Sequence, residues 1–176
     1  DVQLIREWLQ AAVEESEGES AEKAAELITR MDAVVKEQKL LSGSEKQFGI
    51  YQITARDPEH DYRFMNLDFV KRHGMEVNCA DYELVYTEPL TEKDTLEAIY
   101  ERFNIQRPAD FTGHSLSVSD VVVLNDGSTV KAYYVDSIGF AELPDFFKER
   151  NMDLQKENLL NEELQGIEIF DKPGLF

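Results

Sequence analysis

The chain has 176 residues, 42% of them hydrophobic, and its 36 acidic and 18 basic residues give a net charge of -18. This length and apolar content suit one domain, or one domain with a small helical appendage, and exclude global disorder. Acidic residues outnumber basic ones in segments 1–46, 47–144 and 145–176 alike. Because so acidic a surface repels phosphate, we expect no direct binding to nucleic acid and no docking on anionic membranes.

The evenly spread acidity leaves two interpretations of the surface. The favoured one is solubility, because self-repulsion keeps an acidic protein monodisperse. The alternative is a surface that imitates nucleic acid and occupies a basic protein.

Targeting and covalent features point to a cytoplasmic protein. The single cysteine, Cys79, cannot form a disulfide within the chain. No stretch approaches the apolar length of a membrane span, and the N-terminus has no signal segment. The chain begins at Asp1 and stops just after a Pro-Gly pair, which favours a piece of a longer protein.

Residues 1–44 are predicted to form an N-terminal helical hairpin. Apolar residues at helical spacing predict a first helix over 2–15, and Ser20 is a predicted N-cap for a second helix to about Leu40. We expect the hairpin to pack on the rest of the chain, because most helical stability comes from burying an apolar face. A partner-binding or dimerising element is the alternative.

Residues 45–150 are predicted to form an α+β domain with a small, mostly antiparallel sheet and packed helices. Apolar and β-branched runs predict strands at 47–54 and 82–87. Two further runs flank the turn Asn125-Asp126-Gly127-Ser128 and predict a β-hairpin. No regular βαβ alternation occurs, which favours α+β over a doubly wound fold.

Three residues are predicted to begin short helices of this domain. Asn66 is a predicted N-cap, and Asp94 starts a sequence with the cap-x-x-Glu spacing of a capping box. Pro144 suits the first turn of a helix to about Arg150. Residues 151–176 are predicted to form a C-terminal helix and a tail with a possible strand at 167–170, which leads into a further domain.

No motif names a reaction. The chain has neither a glycine-rich phosphate loop nor an H-E-x-x-H or C-x-x-C pair, so we expect no cofactor and no metal. A hard cation bound by Asp57, Glu59, His60 and Asp61 is the metal alternative, and a solvated acidic loop is the favoured interpretation there.

The segment from Gly113 to Asp120 gathers hydroxyls, an imidazole and a carboxylate in eight residues, and Asp136 and Ser137 follow the second hairpin strand. A hydrolase would need a serine and His114 within hydrogen-bond reach and a third group to orient the imidazole. The same residue types also build structured turns, because their side chains bond the nearby backbone. We favour a structured turn over a catalytic site. A pocket for a small ligand is the third interpretation and ranks between these two.

Several separated motifs occur in order over residues 48–148. They are Ile50-Tyr51-Gln52, Tyr62-Arg63-Phe64, Tyr82-Glu83-Leu84-Val85-Tyr86, the run Leu96 to Asn104, the run Arg107 to Val122, and Tyr133 to Phe140. Together they resemble the YodL-like domain family. The resemblance implies a module of large multidomain proteins from conjugative elements and phages, which often carry methylase, helicase or antirestriction domains. It implies no agreed activity and no catalytic residues.

These observations favour a non-enzymatic accessory or protein-interaction domain with a protein partner, and they set no oligomeric state. The alternatives are an acidic nucleic-acid mimic that inhibits a restriction or defence nuclease, and a hydrolase or small-ligand pocket. The candidate binding residues are the polar positions typical of the family: Arg63, His114, Ser115, Ser117, Ser119, Asp120, Asp136 and Ser137.

Overall fold

A computed structural model describes residues 2–15, 18–54 and 58–148 of the chain. The chain divides into two compact units, with the described residues up to Gln38 in the first and those from Lys39 onward in the second. No helix in these ranges combines the length and the apolar composition needed to cross a bilayer. The C-terminal helix and strand predicted beyond residue 150 lie outside the described residues.

The first unit is built from two helices, α1 (Val2–Glu15) and α2 (Glu19–Ser42), and α2 ends within the second unit. An ion pair joins Arg6 Nε to Asp32 Oδ1 over 2.6 Å. The core of this unit consists of Leu9, Ala24, Leu27, Ile28 and Met31.

The expected cap at Ser20 is wrong, because α2 begins at Glu19, two residues before the start that a cap at Ser20 predicts. Gly18 adopts a positive φ of 73° and its carbonyl accepts the Glu22 N–H. Glycine takes this backbone conformation without steric cost, so the chain turns at Gly18 and Ser20 falls inside the first helical turn.

The second unit contains a five-stranded sheet in the order β2-β1-β3-β4-β5, with every neighbouring pair antiparallel. The strands are β1 (Gln47–Ile53), β2 (Tyr82–Pro89), β3 (Val121–Asn125), β4 (Val130–Val135) and β5 (Phe140–Glu142). Two helices, α3 (Leu67–Arg72) and α4 (Leu96–Ile105), lie between strands in the chain. The α+β class and the predicted hairpin are therefore confirmed, whereas the three-residue β5 was not predicted.

Side chains that alternate along the strands fill two separate cores, one on each face of the sheet. One face buries Tyr51, Tyr82, Val121 and Tyr134. The other face buries Phe48, Ile50 and Val122 with Ile99 and Phe103 of α4. A sheet covered on both faces explains why β1 is buried along its whole length.

Two of the predicted helix starts are wrong. The N-cap of α4 is Thr95, whose hydroxyl accepts the Ala98 N–H, because the Asp94 carboxylate is already bonded to Thr91 N and Oγ1. Residues 144–148 form turns and not a helix. Phe146 and Phe147 both pack edge-on against Tyr51, and consecutive rings on one partner do not fit helical spacing.

The link between α2 and the sheet gives a test of this fold. Asn125 is 1% exposed, and its amide donates to the carbonyls of Leu40 and Gly43 at the end of α2. We expect Asn125→Ala to lower the free energy of unfolding by about 1–3 kcal/mol, because it leaves these two carbonyls without their hydrogen-bond donor. Urea denaturation measures the change, with the exposed Glu101→Ala as control. Equal stability of both variants would contradict the assigned bonds.

Candidate functional site

The predicted polar residues meet at one end of the sheet, where β1 ends and β3 begins. Gln52 lies near the end of β1, and Asp120 immediately precedes β3. The Gln52 amide donates to the Asp120 carboxylate over 3.1 Å and to the His114 carbonyl over 2.8 Å. Gly113 is required beside this amide, because a Cβ on it would collide with Gln52 Oε1.

The Asp120 carboxylate is the buried centre of the cluster. Its side chain is 2% exposed, and its Oδ2 accepts the Ser117 N–H over 2.8 Å as well as the Gln52 amide. Burial raises the pKa of Asp120 to about 7, against the opposing effects of the Ser117 N–H, the charge of His114 and the Gln52 amide. The site therefore holds a carboxyl group that changes charge near neutral pH.

The His114 imidazole covers the other oxygen of this carboxyl group. Its Nε2 lies 3.8 Å from Asp120 Oδ1, and its Nδ1 lies 2.8 Å from the Ser115 carbonyl. A carbonyl can only accept, so Nδ1 carries the hydrogen and Nε2 faces the carboxyl. The Gln52 nitrogen is also 3.3 Å from Nδ1, but its two hydrogens are directed to two better-placed oxygens.

Two of the three serine hydroxyls of the segment have structural partners, and Ser115 takes part through its carbonyl. Ser117 Oγ donates to the Ser115 carbonyl, and Ser119 Oγ accepts the Phe64 N–H. Among the described residues no serine hydroxyl is hydrogen-bonded to His114, so the pairing of nucleophile and base that a serine hydrolase needs is not formed there.

Two residues without glycine's freedom adopt left-handed backbone conformations at this site, Phe64 with φ 67° and Ser119 with φ 84°. They are bonded to each other, because the Phe64 N–H donates to Ser119 Oγ over 2.9 Å. The Tyr82 hydroxyl holds the Ser119 carbonyl over 2.6 Å. The Phe64 ring is 60% exposed and lies 5.8 Å from the His114 ring.

The other predicted site residues surround this cluster with structural contacts. The Arg63 guanidinium forms an ion pair with the Asp61 carboxylate over 2.6 Å. This pair lies in the segment immediately before Phe64. Asp136 Oδ1 accepts the N–H of Leu67, the first residue of α3, and the N–H of Ser137. A hydrogen bond from Ser119 N to Val135 O connects the turn after β4 to the Asp120 cluster.

Sequence reasoning missed three members of the site: Gln52, Phe64 and Tyr82. A polar residue inside an otherwise apolar strand was a signal for Gln52. Phe64 belongs to one of the motifs that resemble the family, but its positive φ could not be predicted, because the Phe64 N–H is bonded to a residue 55 positions away.

Two further features lie apart from the cluster. No group of three metal-ligating side chains occurs within the described ranges, and Asp57 of the acidic loop lies outside them. A cavity of about 270 Å³ lies beside α3, with Val70, Met75 and Phe146 in its wall and Lys148 at its rim. None of the predicted site residues lines it.

The fold and the site define a small α+β domain with a buried polar centre beneath surface loops. The model of the YodL-like domain matches residues 47–146, which is more than half of the chain. The chain therefore belongs to the YodL-like domain family, as the sequence motifs indicated. Neither a curated protein nor a solved structure matches it.

The raised pKa of Asp120 predicts how stability depends on pH. The folded state keeps a proton on this carboxyl group between its ordinary pKa of 3.8 and about 7, whereas the unfolded state releases it. The contribution of this carboxyl group to stability is therefore fully present below about pH 4, falls as pH rises through this window and is lost above about pH 7.

Asp120→Asn keeps an acceptor for Ser117 N and cannot ionise. We expect its stability relative to the wild type to improve by about 1–3 kcal/mol from about pH 5 to about pH 8. Urea denaturation at the two pH values measures this, with Asp145→Asn as an exposed control. The same pH dependence in Asp120→Asn and the wild type would show that Asp120 ionises as an ordinary surface carboxyl group.

Proposed function

We propose that this chain is a non-enzymatic protein-interaction module of a mobile-element protein, and that its partner docks on the Phe64 surface. We define that surface as the side chains of Phe64, Met65, His114 and Ile138. The family's association with multidomain proteins of conjugative elements and phages supports the mobile-element setting.

The observation that carries the proposal is an exposed aromatic ring on a strained backbone. A left-handed conformation costs a residue other than glycine about 1–3 kcal/mol, and such strain concentrates at functional sites. Phe64 is 60% exposed, so burial of its ring offsets little of this cost in the free chain. A partner that buries the ring would offset the cost of the left-handed backbone, and buried aromatic residues dominate the binding energy of protein interfaces.

We assign two further exposed apolar side chains to the same surface. Met65 is partly exposed and follows Phe64, and its carbonyl is fixed by the Tyr134 hydroxyl over 2.7 Å. Ile138 is 92% exposed at the turn between β4 and β5, and Asp136 of this turn accepts the N–H of Leu67, three residues after Phe64. Exposed apolar side chains on ordered turns are typical of protein-binding sites, because little conformational entropy is lost on docking.

The polar groups beneath the surface support binding over catalysis. Asp120 Oδ2, Gln52 Nε2 and Ser117 Oγ all have partners within the site. A catalytic group needs a free hydrogen bond directed at a substrate. The net charge of -18 favours a partner whose contacting surface carries basic residues.

Phe64→Gly separates docking from folding. Glycine relieves the left-handed strain but loses the ring, so we expect stability to change by less than about 1 kcal/mol. The protein captured by the wild-type chain from a lysate of its own organism should bind the variant with a dissociation constant raised about thirtyfold. Ile138→Ser should weaken binding in the same direction. Leu4→Ser, an exposed apolar residue of the first unit, is the control.

Three outcomes would overturn the proposal. Equal affinity of Phe64→Gly and the wild type would show that docking occurs elsewhere. An activity lost in His114→Ala at unchanged stability would indicate an enzyme. Binding to a nucleic-acid enzyme that weakens about a thousandfold between 50 and 200 mM salt would favour the nucleic-acid mimic, because charge would then dominate the interface.

A further inference from the structure

Strand β2 forms one edge of the sheet and pairs only with β1. The Tyr82 N–H donates to the Cys79 carbonyl, and among the described residues no other group outside β1 is hydrogen-bonded to the backbone of Tyr82–Pro89. The opposite edge, β5, is only three residues long. After Tyr82 the outer peptide groups of this eight-residue strand have no backbone partner among the described residues, and such an edge is a template for another strand.

A bulge in β2 gives the edge two chemically different sides. Ile50 pairs with Tyr86 and Tyr51 pairs with Leu84, so Val85 is the extra residue. As a result Val85 and Tyr86 both pack into the core beneath α4, whereas Leu84 packs on the opposite face. An incoming strand would meet different partners on each side.

The side of β2 that faces α4 is acidic. Glu83 pairs with Gln52 and Glu88 pairs with Phe48, and both β1 residues point to that face. Arg102 of α4 neutralises Glu88 through two hydrogen bonds of 2.7 and 3.0 Å. Glu83 is exposed with no ion pair to a described residue, and Asp110 lies at the Tyr86 hydroxyl.

A second copy of this chain fits the edge poorly. Two-fold antiparallel pairing of β2 with itself about the bulge would place Glu83 opposite Glu88 of the other copy. That pairing offers Glu83 no cation, because β2 contains no basic residue and Arg102 is already paired with Glu88. A strand with basic side chains on the α4 side and apolar ones beside Leu84 has the complementary pattern.

We propose that the β2 edge accepts an extended, basic segment of a partner protein as a sixth strand of the sheet. Backbone hydrogen bonds would supply affinity, and the alternating side chains would supply specificity. This surface is distinct from the Phe64 surface, and either can bind without the other.

The probe is an acetylated and amidated octapeptide of alternating lysine and valine, added to the full chain. We expect it to bind and to slow hydrogen exchange at the amides of β2 that point away from β1. Glu83→Lys should raise its dissociation constant about fivefold, because an attraction becomes a repulsion. Glu26→Lys, at an exposed position of α2, makes the same charge change elsewhere and should have no effect. Phe64→Gly should also leave this binding unchanged, which separates it from the function proposed above.

A second peptide distinguishes strand addition from attraction between charges. Methylation of alternate backbone nitrogens keeps every lysine but removes the donors along one edge, so this peptide should not bind. Equal binding of the methylated peptide, or equal weakening by Glu83→Lys and Glu26→Lys, would overturn the proposal. The proposal would also be overturned if the unmodified peptide did not bind, or if it slowed hydrogen exchange only at amides that lie outside β2.

Discussion

A carboxyl group buried at the end of a sheet has to receive from the protein the hydrogen bonds that water no longer gives. At Asp120 these come from the Ser117 N–H and the Gln52 amide. The same amide reaches the His114 carbonyl, so one side chain of β1 fixes both ends of the segment. Loss of either donor would leave a buried carboxylate oxygen without a hydrogen bond. The free-energy cost of such an acceptor is larger than the net contribution of the bond to stability. The loop therefore has one stable arrangement over the strands.

This arrangement determines what the surface presents. With Asp120 fixed, its neighbour Ser119 is held in a left-handed conformation by bonds to Val135 and Tyr82. Ser119 Oγ then receives the Phe64 N–H and keeps the aromatic ring outside. Strain is thus held by buried hydrogen bonds, and its visible result is an exposed ring. The buried polar groups thus determine the position of the exposed ring, and this role does not require them to be catalytic.

The fold was predictable where a local pattern determined the structure. Apolar and β-branched runs identified β1 and β2, and the turn at Asp126-Gly127 identified the hairpin. The three residues of β5 are too few to show alternation. The helix expected from Pro144 fails because packing of Phe146 and Phe147 on Tyr51 overrides local preference.

The site was predictable only in part, for a related physical reason. His114, Ser117 and Asp120 lie within seven residues of one another, so their composition revealed a structured turn. Gln52 and Phe64 join them through hydrogen bonds that span 68 and 55 residues. A backbone φ set by such a distant contact leaves no trace in the local sequence. The turn could therefore be predicted from the sequence, whereas the exposed surface that it supports could not.

The central claim is that Ser119 holds Phe64 in its exposed, left-handed conformation. Hydrogen exchange at the Phe64 amide, in the wild type and in Ser119→Ala, tests it without any partner. The account predicts a protected amide in the wild type, and exchange at the rate of an unfolded chain in a variant that remains folded. An amide that exchanges freely in the wild type, or one that stays protected in Ser119→Ala, would contradict it.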